Sequence, residues 1–240
     1  MTADVLAALG GLGCTVVETT SAPGLTVLAA HAGRDDGAQM ADVVRLMRAL
    51  SSRTQAGEVL TGLVLASQGT LFMGAKSGHP GAYAVVSTDA ASPGRVTVGA
   101  KKAVDLLGSV AVEGDVEDLD LEPASADAGL AAFAEKAASG PSGGFRTASG
   151  QGILAMGMPG DAADIAAVAS ACWDAALACR SGLQRILLLG GSKTIGMAMA
   201  DQAGALVVAA FAAGMNPGLA GTETAKLVKA CDQAAAGGAS

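Results

Sequence analysis

Leu63-Val64-Leu65-Ala66-Ser67-Gln68-Gly69-Thr70-Leu71-Phe72-Met73 has a later counterpart in Leu187-Leu188-Leu189-Gly190-Gly191-Ser192-Lys193-Thr194-Ile195-Gly196-Met197. The offset is 124 residues (187 − 63) and holds without a gap over Leu63–Leu107 and Leu187–Cys231. Thr70 falls on Thr194, Met73 on Met197, Pro93 on Pro217, Gly94 on Gly218, Lys102 on Lys226 and Val104 on Val228. A second apolar run, Tyr83-Ala84-Val85-Val86, falls on Val207-Val208-Ala209-Ala210. Each identity is weak alone. A shared Pro-Gly in register with both apolar runs predicts a tandem repeat. So long a period makes two domain-sized units, not a solenoid. Duplicated small domains usually pair with each other or build a two-lobed binding surface.

Working outward from that block, the first unit predicts a helix at Asp4–Leu12. Strands follow at Thr15–Thr20 and Leu25–His31, parted by the turn Ser21-Ala22-Pro23-Gly24. Met40, Val43, Val44, Met47 and Leu50 then recur at helical spacing, with Asp42, Arg45 and Arg48 on a solvated face. Strands at Leu63–Ala66, Thr70–Ala75 and Tyr83–Thr88 come next. Pro93-Gly94 reads as a break, and Val98–Leu107 as a closing helix with Val98, Ala103, Val104 and Leu107 inward.

The second unit repeats the order. It has a helix at Leu130–Ala138, strands at Gly144–Ala148 and Gly152–Met158, and a helix faced by Ile165, Val168, Ala169, Cys172 and Ala176. Strands at Arg185–Leu189, Thr194–Ala200 and Ala205–Phe211 follow. A break at Met215–Gly221 precedes a helix at Thr222–Ala235, with Thr222 as N-cap. Short turns join consecutive strands antiparallel. The expected fold class is therefore α+β, each unit a five-stranded antiparallel sheet with a central crossing helix. The expected boundaries are residues 1–112 and 125–240, with an acidic linker at 113–124.

The element order, the unit length and the strand blocks at Leu63–Met73 and Leu187–Ile195 resemble the roadblock/dynein light-chain family, close in fold to profilin and longin domains. The resemblance spans most of both repeats. It implies two tandem roadblock-like domains and a non-enzymatic scaffold. Family members dimerise by extending the sheet and packing central helices, and several regulate Ras-like small GTPases through that surface. The family has no catalytic motif to carry over, so no catalytic, metal or cofactor residue is assigned. The expected partner is a protein, with a Ras-like small GTPase as the implied case, alongside self-association of the repeats or a homo-oligomer.

Composition bounds the alternatives. The 240 residues are 51% apolar and only 2% aromatic, so the cores must be aliphatic. Net charge is −7, and six acids cluster at Glu113, Asp115, Glu117, Asp118, Asp120 and Glu122. No basic stripe or aromatic platform favours nucleic acid. Cys172 and Cys179 are two helical turns apart, about 10 Å, too far for a disulfide. Cys14, Cys172, Cys179 and Cys231 read as small core residues in a reducing, cytoplasmic setting. The N-terminus lacks a basic region and carries Asp4, unlike a signal peptide. The apolar run Ala203–Met215 is too short to span a bilayer.

Chemistry-bearing candidates have plain readings. Gly190-Gly191-Ser192-Lys193-Thr194 superficially matches a phosphate loop, but Ser192 stands where Gly is needed and a strand follows, so a hairpin turn is expected. His31 and His79 lie at unlike repeat positions with no cysteine cluster near them. The Glu113–Glu122 run lacks the pattern of a calcium loop.

Small residues flank the central helices, so these helices are expected to form the pairing surface. Its candidate residues are Met40, Val43, Val44, Met47, Ile165, Ala166, Ala169, Cys172 and Trp173. A rival reading is a small-molecule sensor or enzyme. It would use a Gly/Met-lined pocket between sheet and helix, near Met73, Met156, Met158, Met197 and Met199.

Overall fold

The computed structural model describes Ala7 and residues 16–22, 24–31, 37–67, 69–88, 93–106, 125–126, 142–146, 152–156 and 160–237. Strands β1 (Val16–Ala22) and β2 (Leu25–His31) precede helix α1 (Gly37–Arg53). Strands β3 (Val59–Ala66), β4 (Gly69–Ala75) and β5 (Ala82–Thr88) lead to α2 (Pro93–Asp105). A two-residue β6 (Ser125–Ala126) precedes β7 (Ser142–Arg146), β8 (Gly152–Met156) and α3 (Ala162–Cys179). Strands β9 (Leu183–Gly190), β10 (Lys193–Ala200) and β11 (Ala205–Ala212) end at α4 (Pro217–Gly237).

The fold is α+β, and all the strands join one sheet in the order β1-β2-β5-β4-β3-β9-β10-β11-β8-β7-β6. From β1 to β3 and from β7 to β9 the order is the same, run in opposite directions. β3 and β9 meet antiparallel in the middle, with Leu63 opposite Leu187. These are also the residues that the 124-residue offset equates. An approximate two-fold axis therefore passes through that pair.

The sheet is mixed, which corrects the expectation of an antiparallel sheet. β2 runs parallel to β5, and β8 parallel to β11. The short-turn argument governs only strands consecutive in sequence. Between β2 and β5 lie a helix and two strands, long enough to bring the chain back in either direction.

Both faces of the sheet are covered, so its strands are nearly continuous apolar runs rather than alternating ones. In β2, Val27 and Ala29 face the core beneath α1 and α3, while Leu28 and Ala30 face the core that includes α2. α4 packs on β10 and β11, around Cys231 and Val207. α3 is long and apolar enough to cross a membrane by length and composition alone, but half of it is buried within the protein.

Several boundaries differ from the expectation. β3 begins at Val59, before the apolar run, because Thr61 and Gly62 still pair with β4. Pro93 and Pro217 open helices rather than break the chain. A proline at the first helical position has its φ preset and lacks only an N–H that would go unused. Thr222 is not the N-cap of α4. It lies inside the helix, and its hydroxyl donates to the Gly218 carbonyl at 2.9 Å. Asn216 takes the capping role, its side chain accepting from the Gly218 N–H at 2.8 Å. Val98 is 56% exposed; Val96, Ala100, Ala103 and Val104 carry the inward face. The latter three follow the 3.6-residue period, which excludes Val98.

Ala7 alone is described within the expected first helix. The expected helix at Leu130–Ala138, Cys14, Met158, Leu107 and the whole of the expected linker, with its Glu113–Glu122 run, lie outside the described residues.

Candidate functional site

α1 and α3 pack against each other on one face of the sheet. Met40, Val43, Val44 and Met47 are 0% exposed on α1, as are Ile165, Ala166, Ala169 and Cys172 on α3. Trp173 is 5% exposed. All nine belong to one buried cluster shared by both halves. α3 starts behind the cap of Asp161, whose side chain accepts from the Ala163 and Asp164 N–H groups. Gly160 sits against the Arg53 carbonyl, where any Cβ would collide. The start of α3 therefore abuts the end of α1.

The hairpin turns of the two middle strands close the seam reciprocally. The β9–β10 turn lies on the loop after α1: Ser192 N–H donates to the Ala56 carbonyl at 2.7 Å and Gly191 N–H to the Glu58 carbonyl at 2.9 Å. Lys193 Nζ donates to the Thr54 carbonyl at 3.2 Å, satisfying an end of α1. Gly190 is required there because a Cβ would strike the Ala56 carbonyl. In the mirror position, Ser67 N–H donates to the Gly182 carbonyl at 2.9 Å. The Gly190–Thr194 stretch is thus a turn between strands, and its lysine binds a backbone carbonyl.

Two cavities open on the first half. One, of about 500 Å³, lies beside the end of α1, with Arg48, Ser51, Ser52, Glu58, Pro80 and Tyr83 among its walls. Arg48 sits with its guanidinium carbon 5.9 Å from the Tyr83 ring centre and donates to the Gly24 carbonyl. It is therefore engaged with the protein rather than simply solvated. Burial pushes the Tyr83 phenol up to about 12; Arg48 opposes that rise and Glu58 adds to it. The other cavity, of about 320 Å³, lies on the opposite face between α2 and strands β3 and β4. Leu60, Thr61, Phe72, Lys76, Thr97 and Lys101 are among its walls. Among the described side chains of the rival reading, Met73, Met197 and Met199 are not walls of either cavity. Met73 and Met197 are fully buried core residues, and Met199 packs against the same core.

The remaining candidates offer little reactive chemistry. Burial pushes the Cys172 thiol up to about 12, and burial with Asp232 pushes Cys231 up to about 11. Such thiols stay protonated near neutrality and are poor nucleophiles. Burial also raises the Asp174 carboxyl. His79 sits in the β4–β5 turn, its N–H donating to the Lys76 carbonyl at 3.1 Å, and His31 ends β2. Among the described residues, no three His, Cys, Asp or Glu side chains gather as metal ligands would.

Sequence reasoning missed both cavities. A signal for the second lay in the repeat itself. At the 124-residue offset Thr61, Lys76 and Lys101 fall on Arg185, Ala200 and Ala225, differences that periodicity does not weigh. No protein-family model, curated protein or solved structure matches the chain.

Proposed function

We propose that the chain is a non-enzymatic scaffold, two tandem roadblock-like units fused so that one polypeptide makes the paired body that separate subunits make elsewhere in that family. The observation that carries this reading is the β3–β9 seam, centred on Leu63 and Leu187, the residues equated by the internal repeat. A continuous sheet with both central helices on one face gives a rigid two-lobed surface. Such a surface suits docking of a folded protein partner better than turnover of a substrate.

The resemblance suggests a Ras-like small GTPase as that partner, in the cytoplasm. Cys172 and Cys231 are free thiols, in keeping with a reducing compartment. The outward side of α1 offers Asp42 and Arg45, paired at 3.4 Å, while that of α3 is rich in alanine.

The test is binding of the full chain to Ras-like GTPases of its host, loaded with GDP or with a non-hydrolysable GTP analogue. The expected outcome is retention that depends on the nucleotide. Equal retention in both states, or none, removes the GTPase reading.

A further inference from the structure

From the cavity between α2 and strands β3 and β4, we infer a binding site for a small phosphomonoester bearing an apolar or aromatic group. This goes beyond the scaffold reading and does not depend on it. The cavity, about 320 Å³, falls in the range of small-ligand sites. Its walls divide by chemistry. Leu60 and Phe72 form an apolar side, and Leu60 is 49% exposed, so a ligand would cover apolar surface now facing water. Lys76, Lys101, Thr61 and Thr97 supply two cations and two hydroxyls in a protein whose net charge is −7. Lysine ammoniums are compact point charges that bind phosphate oxygens. Glu58 is also a wall of the cavity and can accept from a hydroxyl of the ligand.

The rim is held in place before any ligand arrives. Lys76 N–H donates to the Ala82 carbonyl at 2.8 Å, and Ala82 N–H to the His79 carbonyl at 3.1 Å. These bonds fix the β4–β5 turn that carries Lys76, so less ordering is required on binding.

The second half provides an internal control. Where the first half has Thr61 and Thr97, it has Arg185 and Gly221, and the Arg185 guanidinium packs directly on Gly221. Where the first half has Lys76 and Lys101, it has Ala200 and Ala225. One half thus fills this position with its own side chain and carries no lysine pair. The other leaves it open and places two lysines around it.

The experiment titrates the full chain with phenyl phosphate, with phenol as the uncharged control, by calorimetry and by amide NMR. Saturable binding of phenyl phosphate is expected, with amide shifts concentrated in residues 58–61, 72–78 and 97–101. Lys76→Gln with Lys101→Gln should weaken it about tenfold or more while the amide spectrum keeps its folded dispersion. Thr61→Arg, which copies the second half, should abolish binding by filling the cavity. The inference is overturned by the absence of saturable binding, by shifts centred elsewhere, by phenol binding equally well, or by both variants retaining full affinity.

Discussion

In the first half Met47 of α1 lies over Gly62 of β3, while in the second half the matching positions hold Cys172 on α3 and Ile186 on β9. A Cβ added at Gly62 would stand 2.6 Å from Met47 Sδ and 2.7 Å from Met73 Cε, so the methionines occupy the space a larger strand residue would need. All three side chains that replace or face this arrangement, Cys172, Ile186 and Met197, are 0% exposed. A long helix residue over glycine has been exchanged for a short helix residue over isoleucine. Bulk has moved from one layer to the other while the strand order stayed the same. The fold therefore fixes the total volume between sheet and helix and is indifferent to which layer supplies it.

The seam is where breaking this comparison should cost most. Val44→Glu and Ala169→Glu each place a charge in the core shared by the halves, and each should lose about 3–5 kcal/mol in denaturant unfolding. Trp173 fluorescence reports the same event. Its emission should be blue-shifted in the native protein and move towards that of exposed tryptophan in either variant. Losses below about 1 kcal/mol with unaltered emission would place this surface outside the core.

The layer exchange has its own test. Gly62→Ile alone should cost about 1–3 kcal/mol by overpacking against Met47 and Met73. Adding Met47→Cys imports the second half's pair and should recover most of that loss. Strict additivity in the double-mutant cycle would show that the two positions do not share the space.

Alkaline titration compares the halves by their buried acids. Cys172 and Cys231 have ordinary values of 9.0, and burial raises them to about 12 and 11; Tyr83 rises from 10.0 to about 12. Above pH 9 the unfolded chain loses these protons first, so the native state binds more protons and stability falls as pH rises. The slope is about 1.4 kcal/mol per pH unit for each group inside its window. Cys172→Ala with Cys231→Ala should delay the onset until Tyr83 enters near its unfolded value. An unchanged onset in unfolding curves measured across this range would refute the assignment.

Lys193 gives the smallest contrast. Its counterpart in the first half is Gly69, which has no side chain to reach a helix end. Lys193→Ala should lose only about 0.5–1 kcal/mol, the worth of one partly exposed hydrogen bond at a helix C-terminus. A larger loss by thermal denaturation would mean the lysine holds more of the seam than the Thr54 carbonyl.

What was legible in the sequence follows from where the information sits. β2 could be read to its ends because an apolar run met a Pro-Gly turn, and the core face of α1 because Met40 to Leu50 kept helical spacing. The repeat was legible because β3, β4 and β5 differ little in length from β9, β10 and β11. The parallel pairings were not legible, since β2 meets β5 across a helix and two strands, and local turns carry no record of that closure. Val59 to Gly62 was missed because Thr61 and Gly62 interrupt the apolar signal that marks a strand. Pro93 and Pro217 were misread because the same residue can end one segment or open the next. The cavities were hidden for a different reason, and only the differences between the repeats at Thr61, Lys76 and Lys101 carried a signal for the second. Each is made by residues from separate elements, and its emptiness depends on pairs such as Thr61 with Thr97, which no single stretch displays.

The β3–β9 seam joins parts of a single polypeptide, which changes how its strength should be reckoned. Its formation is a unimolecular event governed by the effective concentration that the connecting chain imposes. Dilution cannot part the halves, and the melting temperature should not vary with protein concentration, as it does for a body assembled from separate subunits. A weak seam would still hold at cellular scarcity. Each half is then free to drift in its surface, since a change on one side is not repeated on the other, as symmetry forces it to be in a homodimer.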